Sequence, residues 1–191
     1  MLTRARYLGP WRIDLTVRDG VRSPASGAVL ARAIAAAVEA AGAPAPASVG
    51  LILADDVELA DLNQEHLGTP GPTDVLSFPL LPPEAFPPHT GGPVRATAPR
   101  AAGTARAIPA FPLPPGRRPH LGDIVISVAR AIEQAAGGRG GQTGDVHWSA
   151  RDEVRLLAIH GALHLCGWDH AEPEEEAAMR ALESRLLTMG G

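Results

Sequence analysis

Three of the chain's seven histidines fall within eleven residues: His160-Gly161-Ala162-Leu163-His164-Leu165-Cys166-Gly167-Trp168-Asp169-His170. The run leading into them, Asp152 to Leu165, carries Val154, Leu157, Ala158 and Leu165 at helical spacing. On a helix, His160 and His164 stand at i and i+4, so they share a face with Cβ atoms roughly 5–6 Å apart. That gap suits two imidazoles converging on one metal ion. Gly167 supplies the left-handed cap that ends a helix and turns the chain, which brings His170 round to the same point. Three neutral imidazoles leave a fourth tetrahedral position open for water, the pattern of catalytic rather than structural zinc. A single histidine on such a face is ordinarily packed or solvated. Three at this spacing, with glycine where the turn is needed, point to a metal.

The spacing is close to H-E-x-x-H, in which Glu after the first His is the general base of a metalloprotease. Here that position is Gly161. A zinc-dependent peptidase of that type lacks its base, so peptidase chemistry is the weakest of the metal-hydrolase readings.

The elements that must position these residues are legible in outline. Trp11 to Val17 alternates, with Trp11, Ile13, Leu15 and Val17 on one side, and reads as a half-buried strand. Ser26 caps a helix to about Ala41, with Leu30, Ile34 and Val38 along its inner face. Val49 to Leu53 is a short strand. Asp55 or Asp56 caps a second helix, with Val57, Leu59 and Leu62 inward and Gly68 past its end; acid at that helix start is accounted for by the dipole. Thr73 to Pro79, bounded by Pro72 and Pro79, is expected as an edge strand. Asp123 to Ser127 is an apolar strand, Val128 to Ala136 a helix, and Gly137 to Gly144 a flexible glycine-rich link without a P-loop ending. Ser149 caps the histidine helix. Pro173 opens a last helix with Glu174, Glu175 and Glu176 in its first turn and Met179, Leu182, Leu186 and Met189 on its inner face. Cys166 reads as a small buried residue, not a ligand.

Composition sets the bounds. The 191 residues make one domain with a sizeable core, expected to span 1–191. All 17 basic residues are Arg, and the net charge of −4 does not advertise nucleic-acid binding, so an RNA contact needs a local basic patch. Cys166 is the only cysteine, which excludes an intrachain disulfide and fits a reducing compartment. Met1 to Arg6 is not followed by an apolar signal core, and no uninterrupted membrane span exists, so a soluble cytoplasmic protein is expected. Leu81 to Pro119 holds eleven prolines and is read as an irregular or disordered insertion. Its five arginines (Arg95, Arg100, Arg106, Arg117, Arg118) face one acid, Glu84. A solvated loop is the plain reading and a basic RNA-binding arm the alternative.

With the histidine stretch and the Thr73–Pro79 strand both in view, the chain resembles the YbeY-type endoribonucleases, the bacterial rRNA maturation factor family. The resemblance rests on Leu62-Asn63, on Pro72-Thr73-Asp74-Val75-Leu76-Ser77-Phe78-Pro79, on Leu121-Gly122-Asp123-Ile124-Val125-Ile126, on the histidine motif, and on Met179 and Glu183. It covers about residues 11–80 and 121–189. It implies an α+β fold, a mixed sheet with helices packed on it and a zincin-like metal-binding helix. It implies one Zn2+ per chain held by His160, His164 and His170, and cleavage of single-stranded RNA in 16S rRNA 3′-end maturation and ribosome quality control. The implied partners are rRNA, the small ribosomal subunit and its assembly factors. Strand and turn bonding is the plain reading of Asp74 and Ser77; their place in the motif makes them candidates for lining a substrate cleft. Asp169 is a candidate proton acceptor, or else the group that holds a ligand histidine in its tautomer. The activated water itself, or the RNA 2′-hydroxyl with a distant base, is equally open.

Two features depart from the family pattern. A Tyr-Arg pair is expected after Leu-Asn, but the chain reads Gln64-Glu65-His66-Leu67, so Leu67 stands where Arg is expected. An arginine of the 81–119 segment could substitute. That segment is itself the second departure. The missing Arg keeps a non-catalytic, zinc-containing ribosome assembly factor as the rival reading.

Overall fold

A computed structural model describes residues 2–89, 118–138 and 148–189. Among these, five strands form one mixed sheet: β1 (Leu2–Leu8), β2 (Trp11–Val17), β3 (Ala47–Ala54), β4 (Val75–Pro79) and β5 (His120–Ser127), in the order β1-β2-β3-β5-β4. β2, β3 and β5 run parallel, while β1 and β4 are antiparallel edges. Five helices pack on the sheet: α1 (Gly27–Ala40), α2 (Asp56–Leu67), α3 (Val128–Gly137), α4 (Ala150–Leu165) and α5 (Pro173–Met189). The architecture is the expected α+β class, and the proline-bounded strand lies at an edge as its sequence implied.

Alternation decides which face is buried. Ile13 and Leu15 of β2, Val49, Leu51 and Leu53 of β3, and Ile124 and Ile126 of β5 join one core with Leu30, Ile34 and Val38 of α1 and Ile159 and Leu163 of α4. Each such side chain contributes about 1.5–3 kcal/mol when fully buried. On the opposite face, α2 covers one end of the sheet through Leu59, against Ala54, Leu76 and Val125. Because α2 touches the sheet only along that narrow line, Val57 is exposed rather than inward as its apolar character suggested. Met189 likewise stands exposed at the end of α5.

Capping fixes the helix starts. Ser26 accepts from the Val29 amide, Asp55 from the Val57 and Glu58 amides, Ser127 from Arg130 and Ser149 from Asp152. Asp55, not Asp56, is therefore the cap of α2. Asp56 instead accepts from the Ser127 hydroxyl, which ties α2 to the end of β5.

Two elements go beyond the sequence reading. β1 was not expected. β5 starts at His120 rather than Asp123, because the ladder shifts register between Ser48 and Val49, opposite Gly122 at φ 144°. A Cβ on Gly122 would lie 2.2 Å from the Phe78 carbonyl oxygen, so only glycine fits there. Of the 81–119 segment, the described part 81–89 makes a short 3-10 turn at Pro83–Ala85 and buries Phe86 in the core. Residues 90–117, including Arg95, Arg100, Arg106 and Arg117, lie outside the described residues, as do 139–144 of the glycine-rich link.

The contact that sets the position of α4 is at Gly161. A Cβ there would meet Ile124 Cγ2 at 2.6 Å and Ser77 Oγ at 3.1 Å. The helix lies against β4 and β5 closely enough that only a hydrogen fits. Gly161→Ala is expected to destabilise the fold by about 1–3 kcal/mol, read as a lower urea midpoint. Unchanged stability would mean that Ile124 yields freely.

Candidate metal centre

α4 is buried along most of its length, from Val154 to Leu165, and His160 and His164 are its two partly exposed positions in the last two turns. The helix ends in a paired-bond cap: the Gly167 amide donates to the His164 carbonyl (3.0 Å) and the Trp168 amide to the Leu163 carbonyl (3.1 Å). Gly167 sits at φ 82°, in the left-handed region. The turn carries His170 back over the helix. Asp169 Oδ1 accepts from the His170 amide (2.8 Å), which fixes that turn.

The outcome is three imidazoles around one point. Their ligating nitrogens all lie within 4.8 Å of one another. His160 Nε2 and His164 Nε2 are 3.0 Å apart. The His170 ring centroid is 5.6 Å from that of His160 and 5.1 Å from that of His164. Burial pushes the His164 pKa down to about 4, helped by the adjacent His160 and His170. That imidazole is therefore neutral through the physiological range, the form that ligates a metal.

His160 is oriented from behind. Its Nδ1 donates to Glu183 Oε1 of α5 at 2.7 Å, which leaves the Nε2 lone pair facing the other histidines. A carboxylate–histidine pair of this kind fixes the tautomer of a metal ligand. The sequence assigned Glu183 no role at the site. The available signal was a carboxylate on the apolar stripe of α5, between Leu182 and Leu186, where burial is costly without a partner. α5 is tethered in turn by buried Arg155 of α4, which donates to the Leu186 and Leu187 carbonyls (3.3 and 2.6 Å).

The other candidates lie in the walls. Ser77 donates to the Gly161 carbonyl at 3.2 Å, so its hydroxyl joins β4 to α4 beside the histidines. Asp74 Oδ1 accepts from the Val75 amide (2.8 Å) and Oδ2 from Gln134 (3.0 Å). Both line a cleft of about 1480 Å³ with the three histidines, Leu67, Phe78, Asp169 and Glu175. That volume exceeds the roughly 300–1,000 Å³ of small-molecule pockets and suits a chain-like substrate. Asp169 bonds the His170 backbone, and Glu183 holds the tautomer of His160. Cys166 is buried, with its thiol pushed up to about 12 by burial, and stands outside the ligand cluster.

Position 161 faces Ile124 and Ser77 of the sheet, so a metalloprotease glutamate has no room there. The donor set fits a borderline-soft divalent ion with one position left open. Glu183→Gln is expected to weaken metal binding by about 10–100-fold, because the outer carboxylate no longer fixes His160. Competition with a fluorescent chelator checks it; unchanged affinity would mean that α5 does not orient the ligand.

The geometry agrees with the comparisons. The family model described as "Endoribonuclease YbeY" matches residues 18–191. A protein of Symbiobacterium thermophilum named Endoribonuclease YbeY is 37% identical over 77% of this chain and 74% of its own length. One from Salinispora tropica with the same name is 40% identical over 74% and 73%. One from Thermobifida fusca is 36% identical over 92% and 91%. Among the described residues, no helix is long and apolar enough to cross a membrane. The chain belongs to the endoribonuclease YbeY family.

Proposed function

We propose that residues 1–191 form one metal-dependent hydrolase domain that cuts single-stranded RNA, with His160, His164 and His170 holding one Zn2+ per chain. Its work is 16S rRNA 3′-end maturation and ribosome quality control in the cytoplasm, alongside the small ribosomal subunit and its assembly factors. The observation that carries the reading is the convergence of three imidazole nitrogens within 4.8 Å in the wall of a long cleft. Family membership makes RNA the substrate.

When bound, zinc would supply an acidified water or polarise a phosphoryl oxygen. The chain's own groups do the rest. Glu183 keeps the His160 Nε2 lone pair directed inward. Asp169 holds the loop that presents His170, and its second carboxylate oxygen is a candidate to take a proton in the cleft. Asp74 and Ser77 keep β4 in place as the wall along which a single strand lies.

A non-catalytic assembly factor is the second reading, and Leu67 favours it. Leu67 is 65% exposed at the cleft, at the position where the family pattern expects Arg. Among the described residues lining that cleft there is no arginine, whereas Asp169, Glu172, Glu174 and Glu175 are present.

Purified protein is expected to cut a single-stranded rRNA 3′ precursor, and His164→Ala prepared identically to leave it intact. Equal cleavage by both would sink the nuclease reading and leave the assembly factor. A 3′-hydroxyl product would show attack by water, a cyclic phosphate attack by the 2′-hydroxyl. Leu67→Arg is expected to tighten single-stranded RNA binding and to steepen the slope of log affinity against log salt by about 0.7. An unaltered slope would mean that phosphates do not pass Leu67.

A further inference from the structure

The cleft contains no arginine among the described residues, yet a single-stranded polyanion needs cations along its path. Arg180 lines the adjoining pocket with His160 and His170, and a further group of described cations stands at the other edge of the sheet. Tyr7 of β1 is 62% exposed. The Arg12 guanidinium carbon is 6.0 Å from the Tyr7 ring centroid, and that of Arg118 is 5.7 Å away. These come from two separate segments, and Arg118 is held there by donating to the Pro10 carbonyl. Arg4 and Arg6 of the same strand point to the opposite face of the sheet, paired with Leu15 and Ile13, and no carboxylate occurs before Asp14.

The register joins this edge to the metal cleft. Tyr7 pairs with Arg12, Arg12 with Ser48, and Ser48 with His120, so their side chains form one row across the sheet face opposite the main core. The next row runs Asp14, Gly50, Asp123, Phe78. Phe78 meets the His66 ring edge-on at 5.0 Å, and both line the cleft with the metal histidines. The two acids in the path are already engaged: Asp14 Oδ1 accepts from Arg12 Nε and Nη2 (3.0 and 2.9 Å), which leaves Arg12 only its remaining Nη1 for a phosphate and makes Arg118 the uncompensated charge of the pair, and Asp123 Oδ1 faces His120 Nε2 (3.1 Å). Gly50 keeps the row low, because Asp123 lies across it where a Cβ would be 1.9 Å from Oδ1. Four strand spacings separate the edges, roughly 19 Å.

We propose that the β1 edge of this open sheet face is a second contact for single-stranded RNA, with Tyr7 as a stacking platform for a base and Arg12 and Arg118 as phosphate contacts. An exposed ring beside guanidinium groups is the arrangement that holds single strands with little sequence preference. The RNA runs from Tyr7 across Ser48 and His120 to Phe78 and enters the metal cleft. Tyr7 and Arg12 lie before residues 18–191, the span that the family model matches, and Arg118 lies within it. The proposal rests on the RNA-cleaving reading above.

The test measures anisotropy of two cleavage-resistant 2′-O-methyl single-stranded probes with the full chain, beside cleavage of unmodified RNA. The short probe fills only the metal cleft, and the long one reaches β1. Tyr7→Ala is expected to weaken binding of the long probe about tenfold and to leave the short probe unchanged. Tyr7→Phe, which keeps the ring, should match wild type. Arg118→Gln, on a different segment, should lower the salt slope of long-probe binding by about 0.7. If wild type cleaves RNA and Tyr7→Ala binds both probes normally, the second contact is refuted and the nuclease reading stands. An equal loss on both probes refutes it too, since that marks a damaged fold. If wild type neither binds nor cleaves RNA, both readings fall together.

Discussion

The site depends on how closely α4 approaches the sheet at Gly161. With Ile124 Cγ2 2.6 Å from where a Cβ would be, the helix cannot rotate or lift without opening the core formed by Ile159, Ala162 and Leu163. A helix buried along most of its circumference has little freedom in how it presents its polar positions. His160 and His164 therefore face the cleft because every other face is occupied. The same contact explains the glycine that separates this motif from H-E-x-x-H. One residue cannot both lie against Ile124 and reach a cleft as a general base, so packing and proton transfer are assigned to different positions.

Orientation is then transmitted from helix to helix. Arg155 of α4 holds the C-terminal carbonyls of α5, and α5 returns Glu183 to His160. Arg155 is buried and Glu183 partly so, and each is hydrogen-bonded to a fixed partner. The two helices thus determine the tautomer of one ligand between them. His164 needs no such carboxylate, since burial, with the adjacent His160 and His170, keeps it neutral. His170, on the turn, depends instead on Asp169 and the Gly167 cap.

What the sequence disclosed follows the range of the interactions involved. The helix caps at Ser26 and Ser149, the choice between Asp55 and Asp56, the Gly167 turn and the i, i+4 histidines are set within a few residues, and so they were legible; the Ser127 cap, read only as the end of a strand, was not. The proline-bounded β4 was legible for the same reason. β1 was not, because an edge strand reading Thr-Arg-Ala-Arg-Tyr shows no apolar alternation; its ladder with β2 supplies the order. The start of β5 was hidden by the irregularity opposite Gly122. Glu183 lies 23 residues from His160, and no local rule joins them. Of Asp74 and Ser77, sequence gave the neighbourhood, but only the tertiary contacts reveal that both tie β4 to the helices around it.

Charge placement separates the step of holding a strand from the step of cutting it. The mouth of the cleft is acidic through Glu172, Glu174 and Glu175, and the position of α5 explains why: its N-terminus opens there and acids in a first turn match the helix dipole. Those same acids repel phosphates at a site that must admit one. In a chain of net charge −4, attraction has to come from local arginine, either Arg180 beside His160 and His170 or a cluster farther out. The Arg12, Arg118 and Tyr7 group at the β1 edge is such a cluster, and the sheet face between it and Phe78 is free of unpaired acid among the described residues.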